Sequence, residues 1–160
     1  MHNNIIQQSL HCELTAALRI ISVEMVEKAK SGHPGMPLGF ADVATILFQH
    51  FLRFHPHDPT WPNRDRLILS AGHGSALLYS LLFLTGYKGY SISDLKKFRT
   101  LDSITPGHPE LNIDLGIETT TGPLGQGLAN AVGMAISEKK LNYSLRHTIN
   151  HKIYTIVGDG

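Results

Sequence analysis

The sequence predicts an α/β layer fold: a parallel sheet flanked by helices. Three observations carry that prediction. Amphipathic stretches alternate with short apolar runs. Two of those runs, Arg66–Ser70 (RLILS) and Lys152–Val157 (KIYTIV), are too short for helices and suit buried strands. Each leads at once into a glycine-bearing turn, Gly72-His73-Gly74 in one case and Gly158-Asp159-Gly160 in the other.

Residues 5–29 read as one long helix. Ile6, Leu10, Leu14, Ala17, Leu18, Ile21 and Met25 follow the i, i+3, i+4 spacing of a helix face, and Lys28, Lys30 and Gly32 mark its end. SGHPGMPLG (31–39) reads as a Gly/Pro loop. A second helix follows with Asp42 near its start and Ala44, Leu47, Phe48 and Phe51 on one face. HPHDPTWPNRD (55–65) holds three prolines and is expected to be irregular, with Trp61 anchoring it. After the RLILS strand, an apolar helix is expected over about 75–85, ending at Gly86. Ser91 and Asp94 resemble a capping box opening a short helix through Phe98. Residues 100–124 read as loop. A small-residue helix follows over Gly125–Leu141, where Gly127, Ala129, Ala131, Gly133 and Ala135 would let a sheet, a backbone or a ligand approach closely.

Composition narrows the function classes. The chain has 160 residues, enough for about one domain, with 14 Lys+Arg against 13 Asp+Glu and a net charge of +1. Near-neutrality argues against nucleic-acid binding, which wants a basic face. Charged residues make up 17%, below the usual ~25%, so part of the surface is expected to be covered. The single cysteine, Cys12, excludes an internal disulfide and reads as a small packing residue. No apolar run is long enough to cross a bilayer, and the start has no basic, apolar leader pattern. No membrane association is expected, and a soluble cytoplasmic location is.

Three features could carry chemistry. The first is the strand followed by Gly158-Asp159-Gly160. Asp159 beyond a strand's carboxyl end could offer an oxygen to Mg²⁺ while the glycine backbone meets phosphate; a plain turn is the competing reading. The second is TTTGPLGQGLAN (119–130), a glycine cluster before a helix, which suits a diphosphate. It is neither a P-loop nor a good dinucleotide fingerprint, since Leu128 and Ala129 replace Lys and Ser/Thr and Asn130 replaces the third glycine; a tightly packed loop is the alternative. The third is a set of loop histidines, His33, His73 and His108, each beside glycine in SGHPG, AGHGS and PGHPE. Histidine can donate to phosphate or hydroxyl and relay protons near neutral pH. His55 and His57 lack further ligands. His147 and His151 have zinc-helix spacing, but Thr148 stands where a glutamate is needed, so both read as surface residues.

Taken in order, SGHPGMPLG, RLILSAGHGSALLY, PGHPE, TTGPLGQGLANAVGMAISEK and the terminal GDG resemble the N-terminal part of transketolases through nearly the whole chain. The related 1-deoxyxylulose-5-phosphate synthases depart from GHPG-x-PLG and GHPE. The resemblance implies that residues 1–160 are the N-terminal portion of a diphosphate-binding domain. The implied cofactors are thiamine diphosphate and Mg²⁺ or another divalent ion. The implied reaction is transfer of a two-carbon ketol unit from a ketose phosphate to an aldose phosphate, in carbohydrate metabolism of the pentose phosphate type. By the same resemblance, His33 and His108 contact the sugar and act in catalysis. His73, Gly122, Pro123, Leu124 and Gly160 line the cofactor, and Asp159 is a metal ligand.

Family members are homodimers, with cofactor held between this domain and a second domain of the partner. The text stops inside the GDG signature, before a second metal ligand and before strands that would complete the sheet. Three readings follow: a fragment of a transketolase, a split-enzyme subunit, or a non-catalytic remnant that associates with other transketolase chains. The isolated chain is expected to be inactive.

Overall fold

The computed structural model describes the backbone of residues 2–158 and the side chains of residues 9–158. It begins with helix α1, His2–Ala29. The buried stripe of α1 runs Thr15, Leu18, Ser22, Met25, at helical spacing. Leu10, assigned to that face from the sequence, is exposed. Two of the four stripe residues are polar, and each is satisfied across a helix interface. Thr15 Oγ1 donates to Thr45 Oγ1 at 3.3 Å, and the Ser22 and Ser80 hydroxyls lie 3.1 Å apart.

Helix α2 spans Gly35–Ile46 and begins inside the segment expected to be loop. Its Pro37 falls in the first turn, where a missing N–H costs no helical bond, so proline does not exclude helix there. Asp42 is therefore mid-helix rather than near the start. It takes His11 Nε2 at 3.2 Å and the Arg19 guanidinium, clasping α2 to α1. Ala41 and Ala44 are fully buried, letting the two helices approach. A π-turn, Leu47–Phe51, closes α2 and leaves Phe51 exposed, apart from the buried Ala44 with which it was expected to share a face.

Strands β1 (Arg66–Leu69) and β2 (Ile153–Ile156) pair in parallel, from Arg66 opposite Ile153 to Leu69 opposite Ile156. Asp65 fixes the entry to both, accepting from the Arg53 backbone N–H at 2.9 Å and the Lys152 N–H at 2.7 Å. Helix α3, Ser75–Leu84, is buried at every position from Ser75 to Leu82, as a helix apolar on nearly every side must be. Ser80 tolerates this by donating to the Ala76 carbonyl at 2.7 Å. Helix α4 covers only Ile92–Leu95, with the Ser91–Asp94 capping box formed in both directions.

Helix α5, Gln126–Ser144, starts after Gly125 in a left-handed conformation and packs against β1. Gly127 permits this: a Cβ there would stand 2.5 Å from Ser70 Cα. An adjoining face leaves Leu128, Val132 and Ile136 exposed at i, i+4 spacing. The main core joins Met25, Leu69, Tyr79, Phe98, Ile117 and Ile156 between the sheet and α1–α3. Cys12 is exposed, not a packing residue. Among the described residues, no helix is long and apolar enough to cross a membrane.

Candidate functional site

Parallel pairing sends both strands out at one edge, and the loops there are held by specific contacts. The Ala71 N–H donates to Ile156 O at 3.1 Å, so Val157 and Gly158 leave β2 beside the turn that bears His73. Asp159 and Gly160 lie outside the described residues.

Three loops converge at this edge. His33 sits on the short connection between α1 and α2, where Gly32 (φ 133°) packs so tightly that a Cβ would stand 3.1 Å from Val26 and 3.2 Å from Phe98. His73 occupies a 3₁₀ turn, Gly72–Gly74, between β1 and α3. The rings of His33 and His73 meet edge to face, with centroids 5.2 Å apart. His108 lies on a loop tied to α3 by two hydroxyls: Ser75 Oγ donates to Gly107 O at 2.7 Å, and Tyr79 Oη to Pro106 O at 2.9 Å.

The glycine-rich segment seats against both histidine loops. A Cβ on Gly72 would stand 2.8 Å from Thr121 Oγ1 and 2.9 Å from the Gly122 nitrogen. A Cβ on Gly122 would lie 3.7 Å from the His108 ring. The Thr121 N–H donates to Pro109 O at 3.0 Å, closing the ring of loops. His33, His73, His108 and Gly122 are thus brought together, while Pro123 and Leu124 are exposed on the outer lip.

The surroundings of His108 favour its neutral form. Burial first, then the nearby Arg99 charge, then His33 and His73, hold His108 below the ordinary value of 6.5. A neutral ring has one nitrogen free to accept a proton. The Thr121 hydroxyl is buried and unpaired between the glycine loops. Side-chain-free backbone at Gly122, the unpaired Thr121 hydroxyl and an adjacent imidazole form a donor set that suits an anionic diphosphate.

Met36, Thr121 and Arg99 join this site without having been singled out in the sequence. The Met36 thioether fills the space where a Gly74 Cβ would stand. Thr121 was visible only as part of the TTTG run, and no local signal marked Arg99. The remaining histidines stay apart. The His55 and His57 rings meet edge to face with centroids 6.2 Å apart, and no group of three or more His, Cys, Asp or Glu able to hold a metal occurs among the described residues. His147 lies beyond the end of α5, so it does not share a helix with His151. His151 itself is buried, not on the surface, because the chain turns inward there toward β2.

Behind the site, Arg64 grips Glu118 through two bonds of 3.0 and 2.8 Å, with both side chains almost fully buried. This pair anchors the segment leading to Thr121 against the base of β1.

Residues 10–160 match the profile of the family described as "Transketolase, thiamine diphosphate binding domain". The chain is 56% identical over 151 residues to Transketolase 2 of Xanthobacter flavus, covering 92% of this chain and 22% of that protein. It is 55% identical over 152 residues to Transketolase 1 of Escherichia coli K12, covering 92% and 23%. The crystal structure of the Campylobacter jejuni transketolase superposes with a TM-score of 0.89 at 55% identity, covering 95% of this chain and 24% of that one. The Pichia stipitis transketolase in complex with sedoheptulose 7-phosphate gives 0.89 at 45% identity, covering 95% and 23%. The chain therefore spans about a quarter of the length of the relatives it matches.

Proposed function

The chain belongs to the transketolase family through its thiamine-diphosphate-binding domain, and from that premise we propose that residues 1–160 form the N-terminal portion of a transketolase's diphosphate-binding domain. The whole enzyme would move a two-carbon ketol unit from a ketose phosphate to an aldose phosphate. The observation that carries this reading is the convergence of His33, His73 and His108 on the glycine-rich segment at the carboxyl edge of the sheet.

Thiamine diphosphate supplies the carbon nucleophile when bound, so the chain need not provide one. What the chain provides is binding and proton handling. His73, with the backbone of Gly122 and Gly160, would hold the diphosphate, and Pro123 and Leu124 would cover the cofactor from the lip. Asp159 would supply one carboxylate to Mg²⁺ or another divalent cation, which typically takes one or two such ligands plus phosphate oxygens and waters. His33 and His108 would accept and return protons at the sugar's hydroxyl and carbonyl oxygens. The neutral state of His108 suits it to accept a proton.

A second reading, in which the chain works by associating with other transketolase chains, draws on the exposed row Leu128, Val132 and Ile136 on α5. A row of apolar side chains rimmed by polar residues marks an interaction face. It is compatible with the first reading, since homodimerisation of the whole enzyme would cover such a face.

The test uses enzyme assembled by co-expressing this chain with the complementary C-terminal portion of the Campylobacter jejuni transketolase. Calorimetric titration with thiamine diphosphate and Mg²⁺ should give clear binding, weakened about tenfold or more by His73→Ala through loss of a charge-assisted bond. Unchanged affinity in that variant would remove His73 from the diphosphate site. The 160-residue chain alone should bind cofactor weakly and transfer no ketol unit.

A further inference from the structure

We propose that Arg99 is a positioning residue for His108: its guanidinium braces the Gly107 backbone and sets a permanent positive charge beside the imidazole. The inference deepens the three-histidine reading given above and rests on it for its functional meaning.

Arg99 stands at the end of the turns that follow α4, with φ 62°. That left-handed conformation is unfavourable for a residue with a side chain and persists where surrounding contacts over-determine it. The contacts are present. The Arg99 N–H donates to Thr105 O at 3.0 Å, closing the loop that leads to Gly107. The guanidinium carbon lies 5.9 Å from the centre of the Phe98 ring, within cation–π range.

The guanidinium also faces Gly107 broadside. A Cβ on Gly107 would stand 3.1 Å from Arg99 Cζ, 3.2 Å from Nε and 3.3 Å from Nη2. Near-equal distances to three atoms of one plane mean that the plane lies flat against the backbone. From the other side, α3 holds the same stretch through Ser75 and Tyr79. Gly107 is thus gripped between α3 and Arg99, and the next residue is His108.

Nη1 of Arg99 is buried and donates to nothing, so the side chain is not placed to complete a hydrogen-bond network. Its effect passes through the Gly107 backbone and through its field. The charged and titratable groups that act on His108 are Arg99, His33 and His73, from three separate segments. Of these, Arg99 alone keeps its charge at every working pH. It opposes protonation of His108 whatever state the other two imidazoles hold. Lysine would keep the charge but not the planar contact.

Titration of the His108 ring by NMR, without cofactor or sugar, tests the proposal. The midpoint should lie below the ordinary 6.5 and should rise by about 0.5 pH in Arg99→Gln. Arg99→Lys should keep it low while shifting the Gly107 and His108 amide resonances. If Arg99→Gln does not fold, the unmodified protein decides: added salt screens the charge, so the midpoint should rise with ionic strength. A midpoint indifferent both to the substitution and to salt would overturn the proposal. Because no ligand is present, that failure would leave the cofactor reading untouched. Failure of His73→Ala to weaken cofactor binding would in turn leave the Arg99 result standing.

Discussion

Gly72 and Thr121 meet so closely that a Cβ on Gly72 would stand 2.8 Å from Thr121 Oγ1, with the Gly122 nitrogen only 2.9 Å away. That contact joins the turn carrying His73 to the glycine-rich segment, and beside the Thr121 hydroxyl the Gly122 nitrogen and the Thr121 carbonyl carbon are backbone that cannot rotate away. Gly74, two residues on, is crowded instead by the flexible end of Met36.

Gly72→Ala should therefore destabilise the protein by about 1–3 kcal/mol through overpacking, and Gly74→Ala by less, because Met36 can repack. Urea unfolding of the two variants side by side measures the order. Equal or reversed costs would mean that the Gly72–Thr121 contact is looser than its distances require.

On α5 the same comparison changes sign. Gly127→Ala drives a methyl into Ser70, whereas a Cβ on Gly133 would meet nothing within 4 Å. The first should be destabilising. Gly133→Ala should stabilise by roughly 0.5–1 kcal/mol from helix propensity. Thermal midpoints moving in opposite directions are the expected result.

The buried Arg64–Glu118 pair yields a third expectation. Glu118→Ala leaves Arg64, and Arg66 at 3.7 Å beside it, charged in the interior without that carboxylate, which costs about 3–5 kcal/mol. Replacing Arg64 as well, as Arg64→Met with Glu118→Leu, should cost less, because only the more exposed Arg66 is then left without the carboxylate. A double variant no more stable than the single one would show that the pair contributes more than its own neutralisation.

Acid should weaken the fold through two imidazoles. His108 and His151 are both held below the ordinary 6.5, burial being the first cause in each case. As pH falls through 6.5 the unfolded chain takes up protons that the folded chain refuses. Stability therefore declines below that point and levels off once the folded imidazoles protonate too. Denaturation midpoints between about pH 7.5 and about pH 5.5 should fall, and His108→Asn should flatten that fall.

Much of the fold was readable because its causes are local. RLILS and KIYTIV form the two strands, the mostly apolar run at 75–84 forms the buried helix α3, and Ser91 with Asp94 forms the capping box of α4. The misreadings arose where local signals conflict with position. Pro37 suggested loop but falls in the first turn of α2, where its missing N–H is harmless. His151 suggested surface, yet the chain's return to β2 buries it. The gathering of His33, His73 and His108 could be anticipated from their shared glycine-flanked setting. The parts of the site that depend on long-range contact, Thr121 on Gly72 and Arg99 on Gly107, had no counterpart in any short stretch of sequence.

The most direct test of the central claim is ketol transfer by the co-expressed assembly carrying His33→Ala or His108→Ala, each checked for retained fold and cofactor binding. The account predicts that kcat/KM falls by about a hundredfold or more in each, the scale of lost acid–base catalysis. Rates within about twofold of the unsubstituted assembly in both variants would contradict it, leaving the three-histidine edge a structural feature rather than a site of chemistry.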